Sequence, residues 1–246
     1  MNWYNLDMKT AQQLIEALAR EGDPVRAEHS TRFFKTGPGQ YGEGDKFFGV
    51  TVPVTRKLVG LVQGMSFAEV QKLLASEWHE ARLAGCLILV QQFTHGTPEN
   101  RQKIYTFYLR NAKRINNWDL VDTSAPQIVG GWLVEQGEWL ILRKLAKSED
   151  LWERRIAILA TFAFTRAGNS GPTYEIAEVL LRDAHDLMHK AVGWMLREAG
   201  KRVSEAELEL WLQEGGRYKT MPRTMLRYSI ERLPEVTRKS YLRGEK

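Results

Sequence analysis

Two tryptophans, one carboxylate and several cations have a helical spacing that could support chemistry on a cationic substrate. Trp118 and Asp122 are four residues apart, so a helix would place them on one face. Trp194 follows Lys190 by the same interval, and Arg197 lies about one turn further on. Indole faces attract cations, and a carboxylate in basic surroundings can stabilise a developing positive charge or orient a water molecule. These residues therefore indicate a site for a reaction that passes through a cation.

Other kinds of site lack the residues that they need. A Ser/His/Asp triad has no support, and no cluster has the spacing of metal ligands, so neither a metal nor another cofactor is expected. Asn117 or Asp119 can cap the helix that carries Asp122, so Asp119 is better interpreted as a cap than as the second acid of a two-carboxylate glycosidase. A structural role stays open for each residue, because tryptophans on such helices commonly belong to the core and Arg155 could pair with Asp122.

The segments that carry these residues recur along the chain. Aligned by eye, they place a charged residue at the same point of each segment, with steps of 40, 33, 35 and 33 residues: Arg82, Asp122, Arg155, Lys190 and Arg223. Such a period, built from helix pairs, is typical of an α-solenoid, in which equivalent helices line a concave wall. The pattern predicts a curved single domain with a basic concave groove that matches a row of phosphates. The alternative is that repeat helices simply begin with solvated charges.

Helical periodicity dominates the rest of the sequence. It predicts helices over Met8–Arg20 and Phe67–Ser76, where apolar residues recur three and four apart. Ser204 and Glu207 have the spacing of a capping box before another short helix. The alternating stretch 50–54 contains a proline and leads into a helical pattern, so the evidence for strands is thin. An all-α fold is predicted, with no linker long enough to divide residues 1–246.

One loop, residues 35–46, is unusually rich in glycine, with four glycines within eight residues. Glycine lets a backbone approach a ligand closely. The loop is not a phosphate-binding Walker loop, because no Gly-Lys-Ser/Thr follows, and no strand precedes it as a dinucleotide-binding turn requires. A flexible connection between two helices is the alternative interpretation.

Composition restricts the partners and the compartment. The 246 residues carry a net charge of +5, which suits a polyanionic partner such as nucleic acid but could also serve solubility alone. The single cysteine, Cys86, lies in an apolar run and is expected in the core of a protein from a reducing compartment. Neither a signal peptide nor a membrane span is visible. A cytoplasmic protein that acts away from membranes is expected.

Three segments resemble the AlkD family of DNA alkylation repair glycosylases. They are Asn117-Trp-Asp-Leu-Val-Asp-Thr-Ser-Ala-Pro126, Leu151-Trp-Glu-Arg-Arg-Ile-Ala-Ile158 and Lys190-Ala-Val-Gly-Trp-Met-Leu-Arg-Glu198. The resemblance extends in outline from about residue 8 to residue 235. The loop 35–46 is longer and richer in glycine than in the best-known members of the family.

The resemblance implies a HEAT-like repeat fold that grips duplex DNA and removes cationic N3- and N7-alkylated purines, such as 3-methyladenine and 7-methylguanine, without flipping the base. It makes Asp122 the catalytic carboxylate, and it makes Trp118 and Trp194 contacts to the deoxyribose and backbone of the lesion. It places Arg155 at the position of the family's essential arginine near the phosphates. Besides Arg155, the expected DNA contacts are Lys190, Arg197, Arg154, Arg82 and Arg223.

Two other functions stay open. A non-catalytic HEAT-repeat protein could bind bent or branched DNA by shape, and an α-solenoid could serve as a protein-binding scaffold. The partner expected is double-stranded DNA that contains alkylated bases, bound by a monomer in the cytoplasm where the nucleoid lies.

Overall fold

The computed structural model describes residues 8–246, which are almost entirely helical. Within that range there is no β-strand, only isolated bridges that join Met8 to Val62 and Lys46 to Trp78. The predicted all-α fold is confirmed. None of the helices described is both long and apolar enough to cross a bilayer. The expectation about a signal peptide depends on residues 1–7, which lie outside the described residues.

The chain divides into two compact units, Met1–Ser124 and Ala125–Lys246, and each is described by itself. The helices of unit one are α1 (Ala11–Arg20), α2 (Pro24–Phe33), α3 (Val52–Val59), α4 (Phe67–Leu74), α5 (His79–His95), α6 (Pro98–Arg110) and α7 (Trp118–Ala125).

Local sequence explains how the helices of unit one begin. A capping box between Thr10 and Gln13 starts α1, so the predicted helix begins three residues later than Met8. Pro53 lies in the first turn of α3, where its missing N–H costs nothing, and the stretch 50–54 leads into this helix. The core is centred on α5, whose residues from Ala81 to Leu89 are all buried.

The helices of unit two are α8 (Gly131–Gln136), α9 (Leu140–Ala146), α10 (Leu151–Arg166), α11 (Gly171–Val179), α12 (Asp186–Arg202), α13 (Glu205–Gln213), α14 (Arg217–Thr220), α15 (Arg223–Ser229) and α16 (Glu235–Arg243). A π-helical turn, Pro126–Gly130, precedes α8. It follows α7 directly, and its proline cannot supply the backbone donor of a regular α-helical turn.

The helices pack as successive repeats. In unit two α9 and α11 each pack on α10, α10 packs on α12, and α12 packs on α15. The aligned charged residues have similar places in their helices: Arg82, Asp122, Arg155 and Lys190 are each the fourth or fifth residue, whereas Arg223 is the first. The predicted helical repeat is confirmed. The single domain over residues 1–246 and its concave groove stay predictions.

The predicted capping box at α13 is only half formed. The Ser204 hydroxyl accepts a hydrogen bond from the Glu207 backbone N–H at 3.2 Å, as expected of an N-cap. The Glu207 carboxylate does not complete the box, because it accepts a hydrogen bond from the Ser170 hydroxyl at 2.7 Å. The side chain therefore ties α13 to the start of α11.

Candidate functional site

Helix α7 presents Trp118 and Asp122 on the face that is not buried. Leu120, Val121 and Ser124 form its buried face, whereas Trp118 and Asp122 are both half-buried. Asn117 accepts a hydrogen bond from the Trp118 backbone N–H at 2.8 Å, just before the helix begins. The predicted shared face of Trp118 and Asp122 is confirmed by this helix.

Aromatic rings surround the indole of Trp118. Phe34 stacks on it with ring centroids 5.4 Å apart, and Phe33 meets it edge-on at 5.8 Å. Phe34 also stacks on Phe47 at 5.2 Å. The indole is therefore packed in place by the end of α2 and by residues that flank the glycine-rich loop.

A buried polar network lies under these rings. The His79 ring, whose side chain is 3% exposed, is 3.2 Å from Asp45 through Nδ1 and 2.8 Å from Asp119 through Nε2. Arg82 donates to Asp45 at 2.6 Å, and the buried Asn117 donates to Asp45 at 3.3 Å. We call these five residues the His79 network. It pairs two carboxylates with two groups that can carry positive charge.

The pairing fixes the charge of the network. Burial by itself would lower the pKa of His79, but attraction to Asp119 and hydrogen bonds to Asp119 and Asp45 outweigh it and raise the pKa to about 9. Burial likewise opposes ionisation of Asp45, yet His79, Arg82 and Asn117 together hold its pKa below the usual value. At neutral pH the imidazole is therefore protonated.

Sequence reasoning missed this network because its members are far apart in the chain. It assigned Asp119 to a cap, which is partly right: its Oδ1 accepts from the Leu120 N–H at 2.9 Å, while Oδ2 faces His79. The available signal was three polar residues, His79, Glu80 and Arg82, directly before the apolar run Leu83–Val90 of the same helix.

The glycine-rich loop 35–46 is hydrogen bonded within itself. The Gly42 N–H donates to the Lys35 carbonyl at 3.2 Å, and the Gly39 N–H donates to the Glu43 carboxylate at 2.9 Å. The loop ends by placing Asp45 in the His79 network. Its structural task is therefore more specific than the connection of two helices.

Helix α12 carries the corresponding face of unit two. Lys190, Trp194 and Arg197 lie on one half-buried face, while the residues between them are almost all buried. Gly193 lets α15 approach: a Cβ there would be 2.5 Å from the Met225 carbonyl oxygen and 2.6 Å from the Tyr228 Cβ. The predicted shared face of Lys190 and Trp194 is confirmed.

Four of the arginines expected at DNA are buried or half-buried and are held by other protein groups, whereas the fifth, Arg223, is exposed and donates to the Leu242 carbonyl at 2.8 Å. Arg82 is buried in the His79 network. Arg155 is buried and donates to the Leu187 carbonyl at 2.8 Å. Arg154 pairs with Asp183 at 2.7 Å, and Arg197 pairs with Glu198 at 3.1 Å and with Glu231.

These contacts reduce the number of free cations in the aligned column, in which four of the five residues are basic. A buried guanidinium that is paired with a carboxylate is compensated before any phosphate arrives. Lys190, whose side chain is 44% exposed, and the exposed Arg223 are the column members that solvent reaches readily. Arg154 keeps an open side, because it lines a surface cavity together with Lys147, Arg182 and His185.

Metal and thiol chemistry receive no support from the part of the chain that the structure describes. Residues 8–246 contain no group of three or more His, Cys, Asp or Glu side chains placed to hold a metal ion. Cys86 is buried, and burial raises the pKa of its thiol to about 12. The predicted core position of Cys86 is confirmed.

Comparisons with known proteins identify the family. The chain matches the family model described as DNA alkylation repair enzyme over residues 14–233. A solved structure described as a predicted DNA alkylation repair enzyme from Enterococcus faecalis is similar in fold, with a TM-score of 0.68 and 16% identity, covering 87% of this chain and 98% of that chain. No curated protein matches the sequence significantly. Because the family model spans most of its length, the chain belongs to the DNA alkylation repair enzyme family.

Proposed function

We propose that this protein is a DNA glycosylase that hydrolyses the N-glycosidic bond of cationic N3- and N7-alkylated purines in duplex DNA. The observation that carries the proposal is the shared half-buried face of Trp118 and Asp122 on α7. It offers an indole and a carboxylate, the two groups that stabilise a cation without donating a proton. The family match supports DNA repair as the setting.

The chemistry needs only one carboxylate. In an alkylated purine the base is already cationic, so the electrons of the C1′–N9 bond leave with the base and neutralise it. Positive charge moves to the sugar as an oxocarbenium, which Asp122 stabilises while it orients the attacking water. Water adds at C1′, and its proton passes to the solvent. No general acid and no extrusion of the base from the stack is required.

The second indole, Trp194, is proposed to act on the same lesion through contacts to the sugar and backbone. It lies on the half-buried face of α12 two turns after Asp186, and its ring meets Phe162 at 6.3 Å. Arg166 and Arg202 lie over Phe162 at 4.3 and 5.2 Å. The two guanidinium groups therefore restrict the movement of the Phe162 ring, which Trp194 contacts.

The basic residues are proposed to divide into two groups. Lys190 and Arg223 contact the DNA backbone directly. The cavity that Arg154 and Asp183 line together accepts a further phosphate through its other cations, Lys147 and Arg182, because Arg154 is already paired with Asp183. Arg155 is proposed to act indirectly, because its hydrogen bond to Leu187 fixes the start of the helix that carries Lys190 and Trp194.

One assay tests the proposal. The protein is incubated with a duplex that contains a single 7-methylguanine, and the free base is measured by chromatography. We expect release of 7-methylguanine and an abasic site that alkali cleaves. Tight binding of the duplex with no release of base would instead identify a non-catalytic DNA-binding protein. Absence of salt-sensitive duplex binding would favour a protein-binding scaffold.

A further inference from the structure

We propose that His79 is a positioning residue for Trp118, and that the glycine-rich loop 35–46 is present to complete the His79 network with Asp45. The inference rests on the proposed function, in which the Trp118 indole contacts the lesion. Its support is geometric, since both the backbone and the ring of Trp118 are held by groups that converge on His79.

The backbone of Trp118 is held from both sides. Asn117, immediately before it, is fully buried, donates to Asp45 and accepts from the Trp118 N–H. Asp119, immediately after it, faces His79 Nε2 at 2.8 Å. Because Asp45 and Asp119 occupy the two nitrogens of one imidazole, a shift of that ring would move the first turn of α7.

The ring of Trp118 is held by a stack that also ends on His79. Phe34 lies between the two rings, with its centroid 5.4 Å from Trp118 and 4.7 Å from His79. Phe47 packs on His79 at 4.8 Å from another side. The imidazole is thus the polar base of an aromatic stack whose far member is the proposed lesion contact.

The loop 35–46 brings Asp45 inward through its last glycine. Gly44 has a φ of +84°, a conformation that L side chains rarely adopt, and Asp45 follows it. The next residue is pinned to α5, since the Lys46 N–H donates to the Glu77 carbonyl at 3.2 Å and the His79 N–H donates to the Lys46 carbonyl at 2.8 Å. The composition of the loop therefore serves the network.

The charges around His79 stabilise the arrangement most when the imidazole is protonated. Asp45 comes from the loop, Asp119 from α7 and Arg82 from α5, and with His79 protonated the four charges sum to zero. Loss of the imidazole proton would leave one uncompensated buried carboxylate beside Trp118, which is costly at this depth. The position of Trp118 should therefore change as His79 titrates.

The test follows Trp118 itself. The protein is labelled with 5-fluorotryptophan, and the resonance of Trp118 is assigned from the signal that Trp118→Phe removes. Two variants loosen the aromatic stack under Trp118. His79→Gln changes the His79 network, and Phe34→Leu removes the half-buried ring that lies between Trp118 and His79. We expect both to shift or broaden the Trp118 resonance while the other tryptophan signals keep their positions. In the parent protein that resonance should also move with pH near 9, and in His79→Gln it should not.

Catalysis supplies the second readout. Single-turnover release of 7-methylguanine should slow at least about tenfold in both variants, because small misplacements of reacting groups have effects of that size or greater. Affinity for undamaged duplex should be unchanged. Thr55→Val is the matched control, since it removes another fully buried polar group of unit one and leaves the network intact.

Three outcomes are distinguishable. If the parent protein excises 7-methylguanine while both variants keep its rate and its Trp118 resonance, the positioning role is overturned and the proposed function stands. If the parent protein releases no base, the proposed function fails, and the fluorine signal still decides whether His79 holds Trp118. If Thr55→Val slows the release of 7-methylguanine as much as the two variants do, the slowing reflects a general loss of stability. That result would also overturn the positioning role of His79.

Discussion

Asp122 is the residue on which the proposed reaction depends most directly. Asp122→Asn keeps the size of the side chain and removes the negative charge that would stabilise the oxocarbenium. We expect the folded variant to bind duplex DNA normally and to excise 7-methylguanine at least roughly a hundredfold more slowly, the effect of losing one electrostatic stabiliser. Single-turnover kinetics measure the change.

The matched control for Asp122→Asn is Glu99→Gln, which makes the same chemical change at an exposed position in α6. This variant should keep the parent rate. Excision at the parent rate by a folded Asp122→Asn protein would remove Asp122 from the reaction.

A second prediction at the residue scale concerns the stability that His79 provides. The pKa of His79 is about 9 in the folded protein against an ordinary value of 6.5. Because the folded state binds the proton more tightly, this stabilisation is fully present below pH 6.5 and is lost as the pH rises through 9. Denaturant unfolding at pH 6, 7.5 and 9 should show the parent protein losing more stability than His79→Gln.

Cys86 also contributes to the pH dependence of stability, so it has to be replaced in both the parent protein and the His79→Gln variant. Its thiol ionises readily when the chain unfolds, whereas burial raises the pKa to about 12 in the folded state, so it too destabilises the fold at high pH. Both proteins should therefore carry Cys86→Ala. Parallel stability curves for the two proteins would show that His79 is not protonated in the fold at neutral pH.

At the scale of elements, the close packing of α12 and α15 depends on Gly193. A Cβ at this position would overlap the Met225 carbonyl and Tyr228, so Gly193→Ala must push the two helices apart. We expect a loss of about 1–3 kcal/mol in the free energy of unfolding, typical of overpacking. Equilibrium denaturation measures this loss. Because Trp194 is the next residue, we also expect the variant to excise 7-methylguanine more slowly.

Gly171→Ala is the control for Gly193→Ala. Gly171 opens α11, and a Cβ there meets only the end of the Asn169 side chain at 3.2 Å. Alanine is a better helix former than glycine, so this variant should be neutral or slightly stabilised. A similar loss in both variants would argue against the specific contact with α15.

Lys190, on the half-buried face of α12, allows a prediction about DNA binding. If Lys190 contacts one phosphate, Lys190→Ala should flatten the slope of log affinity against log salt by about one unit for any duplex. Lys239→Ala is the matched control, since both lysines pair with a carboxylate one turn earlier, at 3.6 Å for Lys190 and 2.7 Å for Lys239. An unchanged slope for Lys190→Ala would remove this residue from the DNA contacts.

Helix periodicity was sufficient to predict the all-α fold, helices α1 and α4, and the faces of α7 and α12, because burial repeats every three or four residues. It could not predict partners at long range. The contacts of His79 reach 34 residues back to Asp45 and 40 residues forward to Asp119. Nor could spacing show that Arg82, Arg154 and Arg197 face carboxylates, since an arginine that binds phosphate and one that is paired internally look alike in sequence.

At the scale of the whole molecule, the ion pairs between arginines and carboxylates determine which positive charges of the +5 chain can attract DNA. Several arginines of the repeat are compensated within the fold, so attraction to DNA rests on the exposed lysines and arginines that remain. Under the proposed function, recognition of a lesion depends less on overall attraction than on the proposed cation-stabilising groups Trp118, Asp122 and Trp194. We therefore expect the charge of the leaving base to be the main determinant of substrate choice.

Substrate choice follows from the absence of any assigned general acid. A neutral base needs a proton as it leaves, whereas 7-methylguanine and 3-methyladenine are cationic and leave without one. We expect the protein to release both methylated purines from duplex DNA and to leave uracil, hypoxanthine and undamaged purines in place. Single-turnover excision from matched 7-methylguanine and hypoxanthine duplexes makes the comparison, with Asp122→Asn run on each. Efficient release of hypoxanthine that survives in Asp122→Asn would show that another residue protonates the base, and the mechanism would then need an acid that α7 does not provide.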